Sequence, residues 1–284
     1  MGAPVAQTVF LCGARDYHAM DWYKSALEVN LRPKPIIITD LIAGEGYKKI
    51  IREGDIIYKL IILDKLLFSR QCTLGNIWRN MLKALVFPFQ VFLLKLFSWK
   101  HPHSIFYAHS MYYMWLAWAA KVNFVGTPQG SDILLKPYKS DIFRYLSRRA
   151  IRSALFITVD SSKMFKGVKL ISDVSPMIIQ NGIDIDPILK FVSANPKDSY
   201  NTRINIVSFR GFTTLYRIHD LIAVRNSSKK YSNVGIDFIF PFAEDDYILR
   251  NKPFLHSNDD LIGRVPRVIM YSMFRSSTLC VSVP

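Results

Sequence analysis

Cysteine is scarce in this chain, with Cys12, Cys72 and Cys280 the only three among 284 residues. An odd number at wide spacing excludes a disulfide framework, and each lies in or near an apolar run. Buried, reduced thiols in a cytoplasmic protein are therefore expected. No His and Cys pattern has zinc spacing, and neither a Walker phosphate loop nor a nucleophile elbow occurs. The Gly-X-Gly-X-X-Gly of dinucleotide oxidoreductases is missing too. The first residues lack the basic, apolar and small-residue succession of a secretion signal. No internal repeat or low-complexity tract stands out. Acidic residues are also in short supply, 22 against 37 Lys and Arg, for a formal charge of +15. So basic a chain is drawn to polyanions. Its cations are scattered, with no arginine-rich tract and no nucleic-acid signature. Anionic lipid and a diphosphate ligand are the expected partners, and nucleic acid is not.

Half of the residues are hydrophobic. The longest apolar region, Ile77 to Phe97, approaches the length of a membrane span, but Lys83, Gln90 and Lys95 interrupt it and Pro88 should kink it. Lysines near the middle disfavour a spanning helix. Two readings stay open: a helix lying in the membrane interface, aromatics down and lysines at the headgroups, or a long core helix of an α/β domain. The run Ile56 to Phe68 carries the same ambiguity. The expectation is a monotopic protein.

Short apolar runs alternate with helical patterns along the chain. Strands are read at Val9–Cys12, Ile36–Thr39, Ser104–Ala108, Val122–Val125 and Phe156–Val159, with helices over Met20–Val29 and Met111–Ala120. Residues 193–203 are polar, include Pro196, and read as a linker. Beyond them Ile204–Val207, Ile236–Phe240 and Thr278–Val283 are strands of a second unit. Strands separated by helices imply parallel sheets with right-handed crossovers. The expected architecture is a first α/β domain over 1–192 with a hydrophobic membrane-facing insert, a linker, and a second, partial one over 204–284. Three turns follow strand-like runs: Gly126-Thr127-Pro128-Gln129-Gly130-Ser131-Asp132, Ile178-Ile179-Gln180-Asn181-Gly182-Ile183-Asp184 and Ser208-Phe209-Arg210-Gly211-Phe212. Ligands of open α/β sheets bind on such turns, at the carboxyl ends of strands.

Together these turns resemble the GT-B glycosyltransferases, in particular the retaining, Leloir-type group often called family 4. The resemblance runs from about Val9 to the last residue, and Asp21-Trp22-Tyr23 is similar to transferases of bacterial surface-polysaccharide clusters. It implies two Rossmann-like parallel-sheet domains facing a cleft, the second one incomplete. It also implies transfer of a sugar from a nucleotide-sugar to a lipid-linked or glycan acceptor in O-antigen or capsule synthesis, on the inner face of the plasma membrane. The nucleotide-sugar is a co-substrate, and no cofactor or metal is implied. By the resemblance, Arg210 matches the basic residue that neutralises the donor diphosphate. Tyr216 aligns with the family's second cation, leaving Arg217 as the substitute. Gly13, Gln129 and Gly130 complete the donor side, with Gln129 in place of the family's His, a side chain that hydrogen-bonds but does not titrate. Arg15, His18, His109, Ser131, Asp132, Asn181 and Gly182 are assigned to the acceptor or cleft. Gly130-Ser131-Asp132 as a plain helix cap, Asn181-Gly182 as a plain turn and His109 as a cap remain open.

Two further readings bear on function. Asp184-Ile185-Asp186 spells the Asp-X-Asp of metal-dependent transferases, a weak signal in three residues. The acidic motif that follows the last strand in the family is not present before Pro284, so the chain reads as C-terminally truncated. A non-catalytic, basic membrane-surface protein derived from such an enzyme is the alternative function.

Overall fold

The apolar runs do form strands, and in the computed structural model every strand pairing is parallel. The structure describes residues 6–43, 45–67, 73–182, 185–195 and 204–282. The chain divides into two compact units, the first ending at Gly182.

In the first unit the elements run β1 (Gln7–Leu11), α1 (Tyr17–Glu28), β2 (Ile36–Thr39), α2 (Glu45–Ile50), β3 (Ile56–Lys59), α3 (Thr73–Lys100), β4 (Ser104–His109) and α4 (Met111–Ala120). They continue with β5 (Phe124–Thr127), α5 (Gly130–Leu134), α6 (Asp141–Ser153), β6 (Phe156–Val159), α7 (Ser162–Ser172) and β7 (Met177–Ile178). The strand order is β3-β2-β1-β4-β5-β6-β7. The chain builds outward from β1 to β3, then returns to β4 on the other side of β1. That reversal is the topological switch of a Rossmann sheet, and it puts the ends of β1 and β4 side by side. Ile36, Ile37 and Ile38 are all buried, as a strand covered on both faces requires. One face packs Phe10, Ile37 and Cys12 under Met20 and Tyr23 of α1, and the other packs Val9, Leu11, Ile38 and Phe106 under α3 and α4.

Helix α3 builds one side of the long apolar run into the core and leaves the other exposed. It continues through Pro88, and its inner side sets Gln90, Leu94 and Phe97 into the core. Its outer side leaves Ile77, Met81, Leu85, Phe89, Phe92 and Trp99 exposed, a stripe at spacings of three, four and seven. By length and composition α3 could cross a membrane, but a helix with one side built into a sheet does not do so alone. The run from Ile56 is corrected: it opens with β3, an edge strand paired to β2 from Ile56 to Lys59, rather than with a helix.

The second unit holds α8 (Asp186–Ala194), β8 (Asn205–Ser208), α9 (Ile218–Asn226), β9 (Gly235–Ile239), α10 (Asp245–Asn251), β10 (Asp260–Gly263), α11 (Arg267–Ser276) and β11 (Leu279–Val281). Its sheet runs β10-β9-β8-β11, again with a switch beside the first strand, between β8 and β11. Phe212, Ile218, Ile222, Ile236, Phe238 and Tyr247 form its core. Buried Arg225 there makes a two-pronged ion pair with Asp259, at 2.8 and 2.6 Å. Asp259 also accepts the Ile236 and His256 amides, so its carboxylate fastens α9 to the start of β9 and the turn before β10.

Three expectations differ from what is observed. Helix α8 packs with the second unit, Phe191 against Tyr271 at 5.8 Å between rings, so the contact boundary falls about ten residues earlier than the polar stretch implied. Strand β10 went unread because Asp260-Leu261-Ile262-Gly263 is a short edge strand that begins on a carboxylate. Cys280 is exposed rather than buried, since β11 is an edge strand; its thiol lies 3.3 Å from Ser277 Oγ. Cys12 is buried, and Cys72 lies outside the described residues.

Candidate functional site

The first unit gathers its polar residues where β1, β2, β4 and β5 end. Strand β1 runs out through Cys12 into Gly13, where an added Cβ would stand 2.8 Å from the Tyr113 hydroxyl. The glycine thus lets the loop pass beneath α4. The Ala14 amide donates to Thr39 Oγ1 at 3.0 Å, tying that loop to the end of β2. Asp16 then caps α1, its Oδ1 accepting the His18 amide at 3.0 Å. Its other oxygen accepts from Gln129 Nε2 at 2.5 Å and lies 3.7 Å from His109 Nδ1. Gln129, His109 and the Gly13–Asp16 loop are therefore one cluster. Asp16 is its hub, and no motif singled that residue out.

His109 closes β4 and is buried, yet its Nδ1 has no hydrogen-bond partner among the described residues. Burial pushes its pKa below the ordinary value, with Asp16 only partly opposing, so the ring is held neutral. Ser110, the next residue, has φ of 77°, a left-handed conformation that a non-glycine residue rarely adopts. Strained backbone and an unsatisfied buried imidazole at one strand end are marks of a working site.

Two other predicted residues, Asp132 and Asn181, bond to neighbouring elements. Asp132 accepts the Met111 amide at 3.0 Å and the Gln129 amide at 3.3 Å, and pairs with Lys136 at 2.7 Å. It is buried, and its bonds hold the start of α4 against α5. Gly130 and Gly182 meet nothing within 4 Å where a Cβ would stand, so packing does not demand glycine at either. Ser131 follows Gly130 in α5. Asn181 Oδ1 accepts from Trp22 Nε1 at 3.1 Å, and Trp22 lies 5.6 Å from the Tyr107 ring, so the turn after β7 is pinned to α1. His18 is exposed and Arg15 half-buried.

A second cluster lies at the end of β2. Asp40 is fully buried and accepts a short hydrogen bond from the Tyr113 hydroxyl. Lys83 of α3 approaches it at 3.4 Å, with its ammonium 3.9 Å above the Tyr112 ring. Tyr112 donates in turn to Gln90 Oε1 at 2.6 Å. One sequence signal could have found it: positions 83, 90, 94 and 97 share the inner side of α3, two polar and two apolar.

In the second unit Arg210 follows β8 directly at the switch point. Its Nε donates to Ser282 Oγ, just after β11, at 2.6 Å. The guanidinium lies 5.6 Å from the Tyr216 ring and 5.9 Å from that of Phe209, and it is exposed. At Gly211 an added Cβ would meet the Phe242 ring at 2.4 Å, so the loop carrying Arg210 is pressed onto the next βα turn. The Phe212 amide donates to the Phe242 carbonyl at 3.0 Å across the same junction. Arg217 is differently placed. It starts α9 in a left-handed conformation, and its guanidinium is paired with Asp220 at 2.5 Å. Of the Asp-X-Asp, Asp186 begins α8 and Asp184 lies outside the described residues. Among the described residues no three of His, Cys, Asp and Glu are grouped as a metal site.

No family profile and no curated protein sequence matches the chain. Solved structures do match. Sucrose-phosphate synthase from Thermosynechococcus elongatus superposes with a TM-score of 0.68 at 12% identity, over 97% of this chain and 75% of its own. Anabaena HepE, in complex with UDP and glucose, gives 0.62 at 13% identity over 98% and 74%. UDP-GlcNAc 2-epimerase from Neisseria meningitidis, bound to UDP-GlcNAc, gives 0.55 at 11% identity over 96% and 76%. At such identities the likeness is one of fold: two Rossmann-like parallel-sheet units of the GT-B kind.

Proposed function

We infer that this chain is a GT-B glycosyltransferase which takes a sugar from a nucleotide-sugar and passes it to a lipid-linked or glycan acceptor at an anionic membrane surface. The carrying observation is Arg210, an exposed guanidinium at the switch point of the second sheet. A departing nucleoside diphosphate develops negative charge, and a preorganised cation where strands end is what stabilises it. In a retaining transfer the anomeric C–O bond to the diphosphate breaks and a C–O bond to the acceptor oxygen forms on the same face. The acceptor proton passes to the departing phosphate oxygen, so no titrating side chain is needed. Gln129, which cannot titrate, and His109, held neutral, are compatible with that route. Membership of family 4, a metal-independent reaction and a role in surface-polysaccharide synthesis on the cytoplasmic membrane face rest on the motif resemblance. The exposed stripe of α3, flanked by Lys95 and Lys100 in a chain of charge +15, supports the membrane part.

The second reading is an epimerase, favoured by the fold match to a UDP-GlcNAc 2-epimerase; a non-catalytic surface protein is the third. Incubation with a panel of nucleotide-sugars, with and without lipid extract, separates them. Nucleoside diphosphate released only with acceptor marks a transferase, and an isomerised donor of unchanged mass marks an epimerase. Arg210→Ala should slow transfer by about two to three decades, as loss of one preorganised charge donor does. Unaltered transfer by a folded Arg210→Ala protein would show that another residue holds the phosphates.

A further inference from the structure

The positive charge of this chain is not evenly spread. Residues 135–173 hold nine Lys and Arg against three Asp, a surplus of six within the overall +15. All nine are exposed, and they lie on the turn before α6, on α6 and on α7. Helical periodicity puts them there. On α6, Ser147, Ala150 and Ile151 are buried, which turns Tyr145, Arg148, Arg149 and Arg152 outward. On α7, Met164, Gly167, Val168 and Ile171 are buried, and Lys163, Lys166 and Lys169 line the opposite side at intervals of three. The two helices are neighbours, with Arg152 Nε donating to the Ser172 carbonyl at 3.0 Å. Few of the charges are spent internally. Arg148 and Arg152 share Asp173, at 3.6 and 2.9 Å, and Lys136 pairs with Asp132. That leaves Lys139, Arg144, Arg149, Lys163, Lys166 and Lys169 without a carboxylate partner among the described residues. Arg149 rests instead on Tyr145, its Nε and Nη2 donating to the hydroxyl at 3.3 and 3.2 Å. Unpaired cations crowded on adjoining helices repel one another, and an external anionic surface relieves that repulsion.

Apolar groups stand among these cations. Ile142 is 75% exposed and Leu170 71%, and Tyr138 and Tyr145 are exposed as well. A nucleic-acid backbone gives an outward isoleucine or leucine nothing to contact, whereas the acyl boundary of a bilayer does. The layout of the first unit points the same way. Helices α3, α4, α6 and α7 bury their inner sides in one core over one face of the sheet. The exposed stripe of α3 and the basic sides of α6 and α7 therefore share the outer surface of a single helical layer. We propose that the outer sides of α6 and α7 dock on anionic lipid headgroups, with Ile142 and Leu170 dipping below them. The proposal rests on the membrane part of the function given above and divides that contact in two. Helix α3 sets how strongly the layer inserts, and α6 with α7 sets which headgroups it selects. Each cation near an anionic leaflet strengthens binding about fivefold, an effect confined to roughly a Debye length.

The test is flotation of the full chain with vesicles of phosphatidylcholine alone, or of phosphatidylcholine mixed equally with phosphatidylglycerol. The unaltered chain should prefer the mixed vesicles by about a hundredfold or more. Joint replacement Lys163→Gln, Lys166→Gln and Lys169→Gln should cut that preference by about a hundredfold, and Arg144→Gln with Arg149→Gln by about twentyfold. Neither should alter binding to phosphatidylcholine alone. A control, Lys229→Gln with Lys230→Gln and Lys252→Gln, removes as much charge from exposed lysines of the second unit and should leave the preference intact. Circular dichroism confirms that each variant is folded, and because the two sets lie on different helices, one unfolded variant leaves the other to decide. An equal loss in the control would trace the preference to net charge and overturn the proposal. So would an unaltered chain indifferent to phosphatidylglycerol, or a preference that survives in both the α6 and the α7 variants. An oligonucleotide bound more tightly than the mixed vesicles, and released by the same glutamines, would give the surface to nucleic acid instead. If the glutamines abolish the preference while Phe89→Glu changes nothing, this surface stands and the membrane role of α3 falls. Flotation with neither vesicle would remove both, and leave sugar transfer to its own assay.

Discussion

Phe89→Glu and Leu94→Ala, five residues apart on one helix, should have opposite consequences. Phe89 is 62% exposed and Leu94 is 0% exposed. A phenylalanine side chain carries about 200 Å², so on the order of 120 Å² of Phe89 faces outward; at about 25 cal/mol per Å² its insertion into an interface contributes about 3 kcal/mol. Replacing it with glutamate forfeits that and adds a like charge against anionic lipid. The partition constant should fall by about two decades, while folding changes by about 0.5 kcal/mol or less, as for an isolated surface substitution. Leu94→Ala removes buried methyl groups beneath the sheet and should cost about 2–5 kcal/mol of stability, with vesicle binding of the folded fraction unchanged. Flotation with anionic vesicles, paired with urea unfolding followed by circular dichroism, reads both quantities. Added salt should weaken flotation of the unaltered chain without abolishing it, because the apolar part is not screened. Unfolding by Phe89→Glu, or flotation indifferent to it, would refute the assignment of α3's outer side to a membrane.

Two further outcomes follow from buried groups. Asp259→Ala strands the buried Arg225 guanidinium and should destabilise the second unit by about 3–5 kcal/mol, seen as an early urea transition; a shift under 1 kcal/mol would mean that water reaches the arginine. His109 has a folded pKa below its ordinary 6.5 because burial disfavours its charge. Below pH 6.5 the unfolded chain therefore binds more protons than the folded one, and stability falls as pH drops from 6.5 towards the folded value. The slope is at most about 1.4 kcal/mol per pH unit. His109→Gln should flatten that part of the unfolding profile, and identical slopes in both proteins would rule the imidazole out as its source.

How legible these features were in the sequence depends on how local their causes are. Ile36–Thr39, Met111–Ala120 and Phe156–Val159 were readable to the residue because β-branched or apolar runs between polar turns leave one solution. The strand ends that carry Gly13, His109, Gln129 and Arg210 were readable for the same reason, since in parallel sheets position in the chain predicts the edge. What those residues bond to was not. Asp132 looks like a ligand contact in a Gly-Ser-Asp turn, yet its carboxylate is taken up by two amides and Lys136, one of those amides 21 residues away. Asp40 meets Lys83 across 43 positions and Arg225 meets Asp259 across 34, pairings created by crossovers rather than by spacing. The run from Ile56 was misread because an apolar edge strand and a buried helix start look alike when both carry a lysine.

The fold by itself does not choose between moving a sugar and altering one, since sucrose-phosphate synthase and a UDP-GlcNAc 2-epimerase both match this chain. The choice lies with what the first unit would do for a second substrate. An epimerisation inverts one carbon of the nucleotide-sugar and has no acceptor to hold. It has no use for an outward row of Ile77, Met81, Leu85, Phe89 and Phe92. Such a row is costly to keep, because exposed apolar area invites aggregation. An amphiphilic acceptor would offset that cost, with its apolar chain covering the row. Nucleoside diphosphate release that depends on such a lipid, and fails without it, would give α3's outer side its role; donor isomerised with no lipid present would leave it with none.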